Sequence, residues 1–435
     1  MKSFKISSSV PSTVTTSESI FEDEVELIEN AEVLEEDYTP DEFVCRDEVL
    51  EDYLDVYKPI YKGRPPENAF LYGDTGVGKT AATKYLLNNL ERDLTSKNES
   101  LPKDEQRELN VIWVNCENFT KTDDTTSSYQ IAIGIVNKFR EPGDKLSNTG
   151  YAPRDVYSMM YEEFDALGGT ILVILDEVEK IGSDQTILYD IPRARDSGYL
   201  TEARVGVIGI SNDYEFRKNL SPKIKDSLCE TEVYFPQYTS PELQEIVRTR
   251  AEKALSSGAY DTNTIARCGA KAYQNARGSA RRAIRLLKKS AEIAEKEGVE
   301  PISDDHIDRA HEKLQYDNLV QKFTDQDNQK LYILKAVAHL TEQGKTPART
   351  STIHGVYEAV AYHYGDKPLT QRGMFNHLSK LVMFGWINTY EHNKGRGTGQ
   401  WNEHEFSDDV KPDKVQEAFT HLGREWLAVD VTDCE

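Results

Sequence analysis

The spacing of apolar residues divides the chain into stretches of different period. Four short runs, Ala69–Tyr72, Gly169–Asp176, Arg204–Ile210 and Glu232–Phe235, are largely apolar and of strand length. The unbroken Ile171-Leu172-Val173-Ile174-Leu175 fits a strand buried on both faces of a parallel sheet. Between these runs the period becomes helical. Lys79 to Leu90 carries Ala82, Tyr85, Leu86, Leu87 and Leu90 on one side, and Thr125 to Leu167 holds two further helical patterns split by Glu141-Pro142-Gly143-Asp144. From Tyr238 to about Leu319 every pattern is helical, with Ser240 expected as the first N-cap and Pro241 at the first helical position. Alternating strands and helices predict an α/β subdomain over residues 38–236, followed by an α-helical one over 237–322.

Beyond residue 322 the order changes again. Gln329–Leu340, Thr352–Tyr364 and Leu369–Phe384 have helical spacing. They precede Trp386–Tyr390, a polar loop with three glycines (Asn393 to Gly399), and Gln400-Trp401. Three helices and a hairpin are the order of a winged helix, a helix-turn-helix variant, expected over residues 323–435.

The loops at the strand ends carry the candidate chemistry. Gly73-Asp74-Thr75-Gly76-Val77-Gly78-Lys79-Thr80 lies between the first strand and the first long helix and matches G-x-x-x-x-G-K-[ST] at every fixed position. Glycines let backbone N–H groups close around a phosphate, and the helix N-terminus adds positive potential. Lys79 then reaches the β/γ oxygens of a bound nucleotide and the Thr80 hydroxyl ligates Mg²⁺. The apolar run ending in Asp176-Glu177 supplies a second element at the sheet edge where such folds bind ligands. Asp176 is assigned to the Mg²⁺ shell and Glu177 to polarising the attacking water. Asn212, after the next strand, is positioned either to bond the γ-phosphate or lytic water or to cap a helix. Arg281, near the start of a long amphipathic helix, can swing onto the phosphates, although two adjacent arginines on a helix usually mark a solvated face.

Composition narrows the class. At 435 residues, with 38% hydrophobic and 29% charged residues, the chain should fold as two or three globular domains. No run approaches the about 20 apolar residues of a membrane span, and no secretory leader is recognisable. Five scattered cysteines, Cys45, Cys116, Cys229, Cys268 and Cys434, include no C-x-x-C pair, which argues for reduced thiols in a cytosol and against a zinc site.

The net charge of −23 is unusual for a DNA-binding chain, but it is unevenly spread. Residues 17–56 hold 17 acidic residues against Arg46 alone, and residues 1–37 are expected to be an acidic, unpacked lead-in. From Lys367 to Trp401, by contrast, five basic residues stand against one acidic. That is a local phosphate-facing footprint. Gln371, Arg372 and Asn376 are the candidates for the major groove, and Lys394 and Arg396 on the wing for phosphates or the minor groove.

The order of these motifs resembles the AAA+ replication initiators of archaea, the family related to eukaryotic origin-recognition and cell-division-control loader subunits. The similar segments are Arg46-Asp47-Glu48, Asn68 to Thr80, Leu175-Asp176-Glu177, Gly209-Ile210-Ser211-Asn212, Leu220 to Leu228 and Gly278 to Ala283, and the likeness runs from about residue 38 to the C-terminus. The resemblance implies an AAA+ P-loop NTPase module (parallel sheet plus helical lid) followed by a C-terminal winged helix. It also implies ATP or ADP binding, with Arg46 beside the nucleotide, Asn212 as first sensor and Arg281 as second sensor. In one respect the chain departs from the family. Lys223 stands where the family usually has an arginine finger, and a lysine lacks the planar bidentate fork. Hydrolysis triggered by a neighbouring copy is therefore doubtful, and a slow ATPase used as a switch is expected. The helical insertion that touches DNA in the family has only Arg154 as a basic residue between Ser147 and Gly168, so no strong contact is expected there. The acidity fits a haloarchaeal member, whereas 30 lysines against 22 arginines fit it less well.

The expected function is that of an ATP-dependent initiator, cytoplasmic and nucleoid-associated. It would bind double-stranded origin DNA and help load a minichromosome-maintenance-type replicative helicase. Two alternatives use the same chemistry. One is a nucleotide-sensing winged-helix transcription regulator without a helicase partner. The other is a clamp-loader-like AAA+ remodeller, against which Lys223 counts.

Overall fold

A computed structural model describes residues 25–426 except 104, 121–125, 229, 277 and 394–399, and divides the chain into two units that part between Asp308 and Arg309. The first unit runs α1 (Asp47–Tyr61), β1 (Ala69–Tyr72), α2 (Lys79–Asn98), β2 (Leu109–Asn115), α3 (Ser128–Val136), α4 (Pro153–Leu167) and β3 (Thr170–Asp176). It continues with α5 (Thr186–Arg193), β4 (Arg204–Ser211), α6 (Tyr214–Asn219), α7 (Pro222–Leu228) and β5 (Thr231–Tyr234), then the helices α8 (Ser240–Ala254), α9 (Thr262–Ala276) and α10 (Ala280–Glu297).

The five strands form a parallel sheet in the order β2-β3-β4-β1-β5. Alternation along each strand sends side chains to two cores. Phe70, Ile112, Val114, Val173, Leu175 and Val207 face one cluster with Ile131, Met160, Phe164 and Ile191, from α3, α4 and α5. Ala69, Leu71, Leu172, Ile174, Ile208 and Ile210 face another with Tyr53 and Val56 of α1 and Leu86 and Leu90 of α2. A strand covered on both sides must be apolar at every position, which is why β3 has no polar alternation. The register sets Asp176 beside Asn115 and Ile210, and Tyr72 beside Ser211 and Tyr234, so the loops after these strands gather at one edge.

Helices α8, α9 and α10 form the lid subdomain. Thr239, rather than Ser240, caps α8. Its backbone N–H and its hydroxyl both donate to Glu242 Oε2, at 2.7 and 2.8 Å. Glu242 three residues past the cap closes a capping box, which shifts the boundary by one residue from the Ser-Pro reading.

Residues 25–37 also differ from the unpacked lead-in expected, while residues 1–24 lie outside the described residues. Leu27, Val33 and Leu34 are buried, and Ala31–Leu34 forms a 3₁₀ turn. The acidic residues between them stay outward, so a strongly charged segment still buries its few apolar side chains.

Helix α11 (Asp304–Thr324) contains the point at which the two units part. The second unit continues with α12 (Asn328–Glu342), β6 (Ala348–Arg349), α13 (Thr350–His363), α14 (Gln371–Met383), β7 (Ile387–Asn393), β8 (Gln400–Phe406) and α15 (Pro412–His421). Its antiparallel sheet has the order β6-β8-β7. Helix α12 is its centre, with every residue from Leu331 to Leu340 buried. Val320 and Phe323 of α11 belong to this core, which explains why the division falls upstream of residue 322. Among the described residues no helix is long and apolar enough to cross a membrane.

Candidate functional site

The loop from Gly73 to Gly78 leaves β1 and turns into α2. Gly73, Gly76 and Gly78 have φ of +152°, +82° and +98°, a region that side chains disfavour, so the loop geometry depends on glycine. A Cβ at Gly76 would overlap Ser279 Oγ, at the start of α10. Val77 is buried and pins the loop to the sheet, while Asp74 and Thr75 are exposed.

Lys79 is buried, and its ammonium donates to Gly73 O at 2.8 Å, Asp74 O at 2.9 Å and Asn212 Oδ1 at 2.9 Å. Burial lowers its pKa to about 8, against the pull of Glu179, Asp176 and Asp74. Thr80 Oγ1 donates to Asp176 Oδ2 at 3.1 Å. Burial raises the Asp176 pKa, opposed by that hydrogen bond and by the Glu177 N–H, which donates to Asp176 Oδ1 at 3.1 Å.

Glu177 adopts φ +54° and ψ +45°, a left-handed conformation uncommon for a residue with a side chain. Its Oε2 is buried without a hydrogen-bond partner. Burial, then a hydrogen bond and repulsion from Glu117, push its pKa up to about 7, a range suited to a general base. Glu179 holds the neighbouring loop by accepting from Asn212 N at 3.1 Å. Asp213, not Asn212, caps α6 by accepting from Glu215 N, so the Asn212 side chain is left to Lys79.

The lid closes over this edge. Ala280 N donates to Gly76 O at 2.9 Å and Tyr238 N to Gly278 O at 3.2 Å, which ties the start of α10 to the phosphate loop. Between lid and sheet lies a cavity of about 380 Å³. Gly76, Gly78, Lys79, Thr80, Asp176, Glu177, Asn212 and Arg281 line it, with an apolar contribution from Phe43, Tyr238, Ile246 and Ile284. A polyanion-binding loop and an apolar wall in one cleft suit a phosphorylated nucleoside. An orphaned carboxylate oxygen beside the Thr80–Asp176 pair also suits a hydrated Mg²⁺, which takes few protein ligands.

Arg46 stands apart from the role expected of it. It is buried behind the cavity wall, with its guanidinium 3.5 Å from the Tyr238 ring centroid and Nη2 donating to Pro236 O. It therefore supports Tyr238 rather than lining the cavity. The sequence reading missed Asn115, Glu36 and Arg285, which do line it. Asn115 was findable as the polar residue ending a strand, had β2 been recognised; Glu36 and Arg285 carry no local signal. Lys223 is exposed on α7, and its ammonium lies 3.9 Å from the Tyr189 ring centroid.

In the second unit α14 buries Met374, Leu378 and Leu381 and leaves Gln371, Arg372 and Asn376 exposed. Arg372 and Asn376, four residues apart, share one face. Lys394 and Arg396 lie outside the described residues, between β7 and β8.

These features define an AAA+ P-loop ATPase module with a helical lid and a C-terminal winged helix. Family models agree, matching an AAA ATPase domain over residues 42–122, a Cdc6 AAA+ ATPase-type lid domain over 244–312 and a CDC6 C-terminal winged helix domain over 321–418. The chain belongs to the ORC1/Cdc6 family of DNA replication proteins. It is 40% identical to ORC1-type DNA replication protein 11 of Haloarcula marismortui, over 92% of each chain. It is 38% identical to ORC1-type DNA replication protein 10 of Halobacterium salinarum, over 86% of this chain and 88% of that one. Among solved structures it is similar to the Aeropyrum pernix ORC1 protein in complex with DNA, with a TM-score of 0.74 and 29% identity over 91% of this chain and 97% of that one.

Proposed function

We propose that the chain is an ATP-controlled replication initiator that binds double-stranded origin DNA and helps recruit or load a minichromosome-maintenance-type helicase. The observation that carries this reading is the joining of a lid-covered phosphate loop to a winged helix whose α14 exposes Gln371, Arg372 and Asn376. The DNA-bound relative supports it.

In this reading Lys79 and the N–H groups of residues 75–80 hold the β/γ-phosphates, and Thr80 and Asp176 hold Mg²⁺. When bound, Mg²⁺ neutralises charge on the phosphate oxygens. Glu177 takes a proton from water, Asn212 exchanges Lys79 for the γ-phosphate, and Arg281 reports that phosphate to the lid. Arg46 contributes through Tyr238. Lys223 lacks the planar fork of an arginine finger, so turnover is a slow release step rather than a motor stroke. The domains in this reading are residues 38–236 for the sheet, 237–322 for the lid and 323–435 for the winged helix.

Genome-wide crosslinking of the protein to DNA tests the reading. Peaks at replication starts, with helicase enriched there, support it; peaks spread over promoters would favour a transcription regulator.

A further inference from the structure

Residues 27–43 cross the lid as a strap. Leu27 N and Ile28 N each donate to Glu295 Oε1 at 2.8 Å, Ser256 N donates to Leu27 O at 2.9 Å, and Asn30 N donates to Ala254 O at 3.1 Å. Arg250 Nη1 donates to Val33 O at 3.1 Å, and buried Leu27, Val33 and Leu34 anchor the segment to α8 and α10. So fixed, the strap brings Glu36 to the cavity wall.

There Glu36 meets two arginines from α10. Its Oε2 is 3.4 Å from Arg281 Nε and its Oε1 is 3.5 Å from Arg285 Nε. All three residues line the cavity that holds Lys79 and Thr80. Arg281 and Arg285, four residues apart on one helix, repel each other and need a counter-charge. Glu36 provides it. These contacts are long and the groups about half exposed, so the bridge is weak and open to exchange. A terminal phosphate carries more charge than one carboxylate and matches a guanidinium with two oxygens.

We propose that Glu36 is a specificity-determining residue of the nucleotide site. Its carboxylate stands in for the terminal phosphate on Arg281 and Arg285, so that a triphosphate must displace it whereas a diphosphate, too short to reach these arginines, leaves it in place. The strap thereby biases the site toward the diphosphate. This rests on the nucleotide reading of the cavity.

Equilibrium titrations of the full chain with a fluorescent non-hydrolysable ATP analogue and with the matching ADP analogue test it. Glu36→Gln should tighten triphosphate binding by about 2- to 5-fold, the upper part of what a half-exposed ion pair contributes, and leave diphosphate binding unchanged. The gain should shrink as salt rises and vanish in an Arg281→Ala background. Asp41→Asn is the control for strap mobility, because Asp41 pairs at 3.1 Å with Lys253 and neither residue lines the cavity. It should leave the triphosphate-to-diphosphate ratio unchanged. An unaltered ratio in Glu36→Gln, weaker triphosphate binding, or an equal effect from Asp41→Asn would each overturn the proposal. Lys79→Ala separates the two readings. Retained binding there removes the nucleotide site itself, whereas lost binding with an unaltered Glu36→Gln ratio defeats only the strap.

Discussion

The Lys79 ammonium and the Asn212 amide oxygen are 2.9 Å apart, joining the helix after β1 to the end of β4. With Gly73 O and Asp74 O, that amide gives the buried cation three neutral acceptors. A bound polyphosphate offers charged oxygens instead, so nucleotide binding must reorganise these contacts. In the proposed function Asn212 is thus coupled to the phosphates through the lysine that would hold them.

Removing Lys79 and removing Glu177 should therefore have different consequences. Lys79→Ala should reduce nucleotide affinity beyond detection at micromolar ligand, because the phosphate loop loses its own cation. Glu177→Gln should keep the affinity within about threefold and lower turnover by about 10²–10⁴-fold, the usual contribution of a general base. Wild-type kcat should itself fall below the about 1–10³ s⁻¹ of ordinary enzymes. Calorimetry and phosphate release measured on both variants decide the assignment, and equal loss of binding in the two would reverse it.

A backbone position should matter as much as these side chains. Gly278 has φ +73°, and a Cβ there would overlap the Tyr238 carbonyl oxygen. Gly278→Ala should cost about 1–3 kcal/mol of stability, the range for a strained backbone. Because Tyr238 N donates to Gly278 O where the lid meets the sheet, nucleotide affinity should fall with it. Thermal unfolding with and without nucleotide reads both effects; a variant unchanged in both would mean the lid junction is not set by this glycine.

How much of this was legible in the sequence depended on range. The phosphate loop, β3 with Asp176-Glu177, and β4 with Asn212 are local signals, because a buried parallel strand must be apolar throughout. Strand β2 escaped notice because it is an edge strand, with only Ile112 and Val114 buried among residues 109–115. Missing it hid Asn115. The roles of Arg46 and Glu36 arise from packing over long sequence separations, Arg46 against Pro236 and Tyr238 and Glu36 against Arg281, and no local pattern encodes such pairings. The acidic run likewise concealed Leu27, Val33 and Leu34, which the lid buries.

For DNA, the position of a truncation matters. Cutting near residue 325 would strand Val320 and Phe323, which belong to the winged-helix core. Ending the chain at Asp308 should instead abolish site-specific DNA binding and keep nucleotide binding. Arg372→Ala, on the exposed face of α14, should cost about 1–3 kcal/mol and relax sequence preference if it reads a base edge, as should Gln371→Ala or Asn376→Ala. Arg396→Ala should weaken most sequences alike and lower the salt slope by about one unit. Footprints on origin and scrambled duplexes across a salt series separate these patterns, and unchanged footprints would move the contact off this face.

Lys335 gives the second unit a pH dependence of its own. It is buried on α12, where its ammonium donates to Tyr364 Oη at 2.7 Å and lies 4.8, 5.3 and 4.8 Å from the ring centroids of Tyr364, Phe419 and Trp426. Burial lowers its pKa to about 8, with Glu342 opposing. An unfolded lysine titrates near about 10.4, so between these values the unfolded chain binds more protons and stability rises with pH. Below pH 8 both states carry the charge and the full penalty of burying it remains. Lys335→Met keeps the stem and removes the titration. Its stability should exceed the wild type's most below pH 8, and the gap should narrow steadily from pH 8 to pH 9.5, before the tyrosines begin to titrate. Urea unfolding followed by tryptophan fluorescence suits the measurement, since Trp386, Trp401 and Trp426 all belong to this unit. A gap that stays constant over that range would mean that Lys335 keeps an ordinary pKa and that the aromatic rings around it offset its burial.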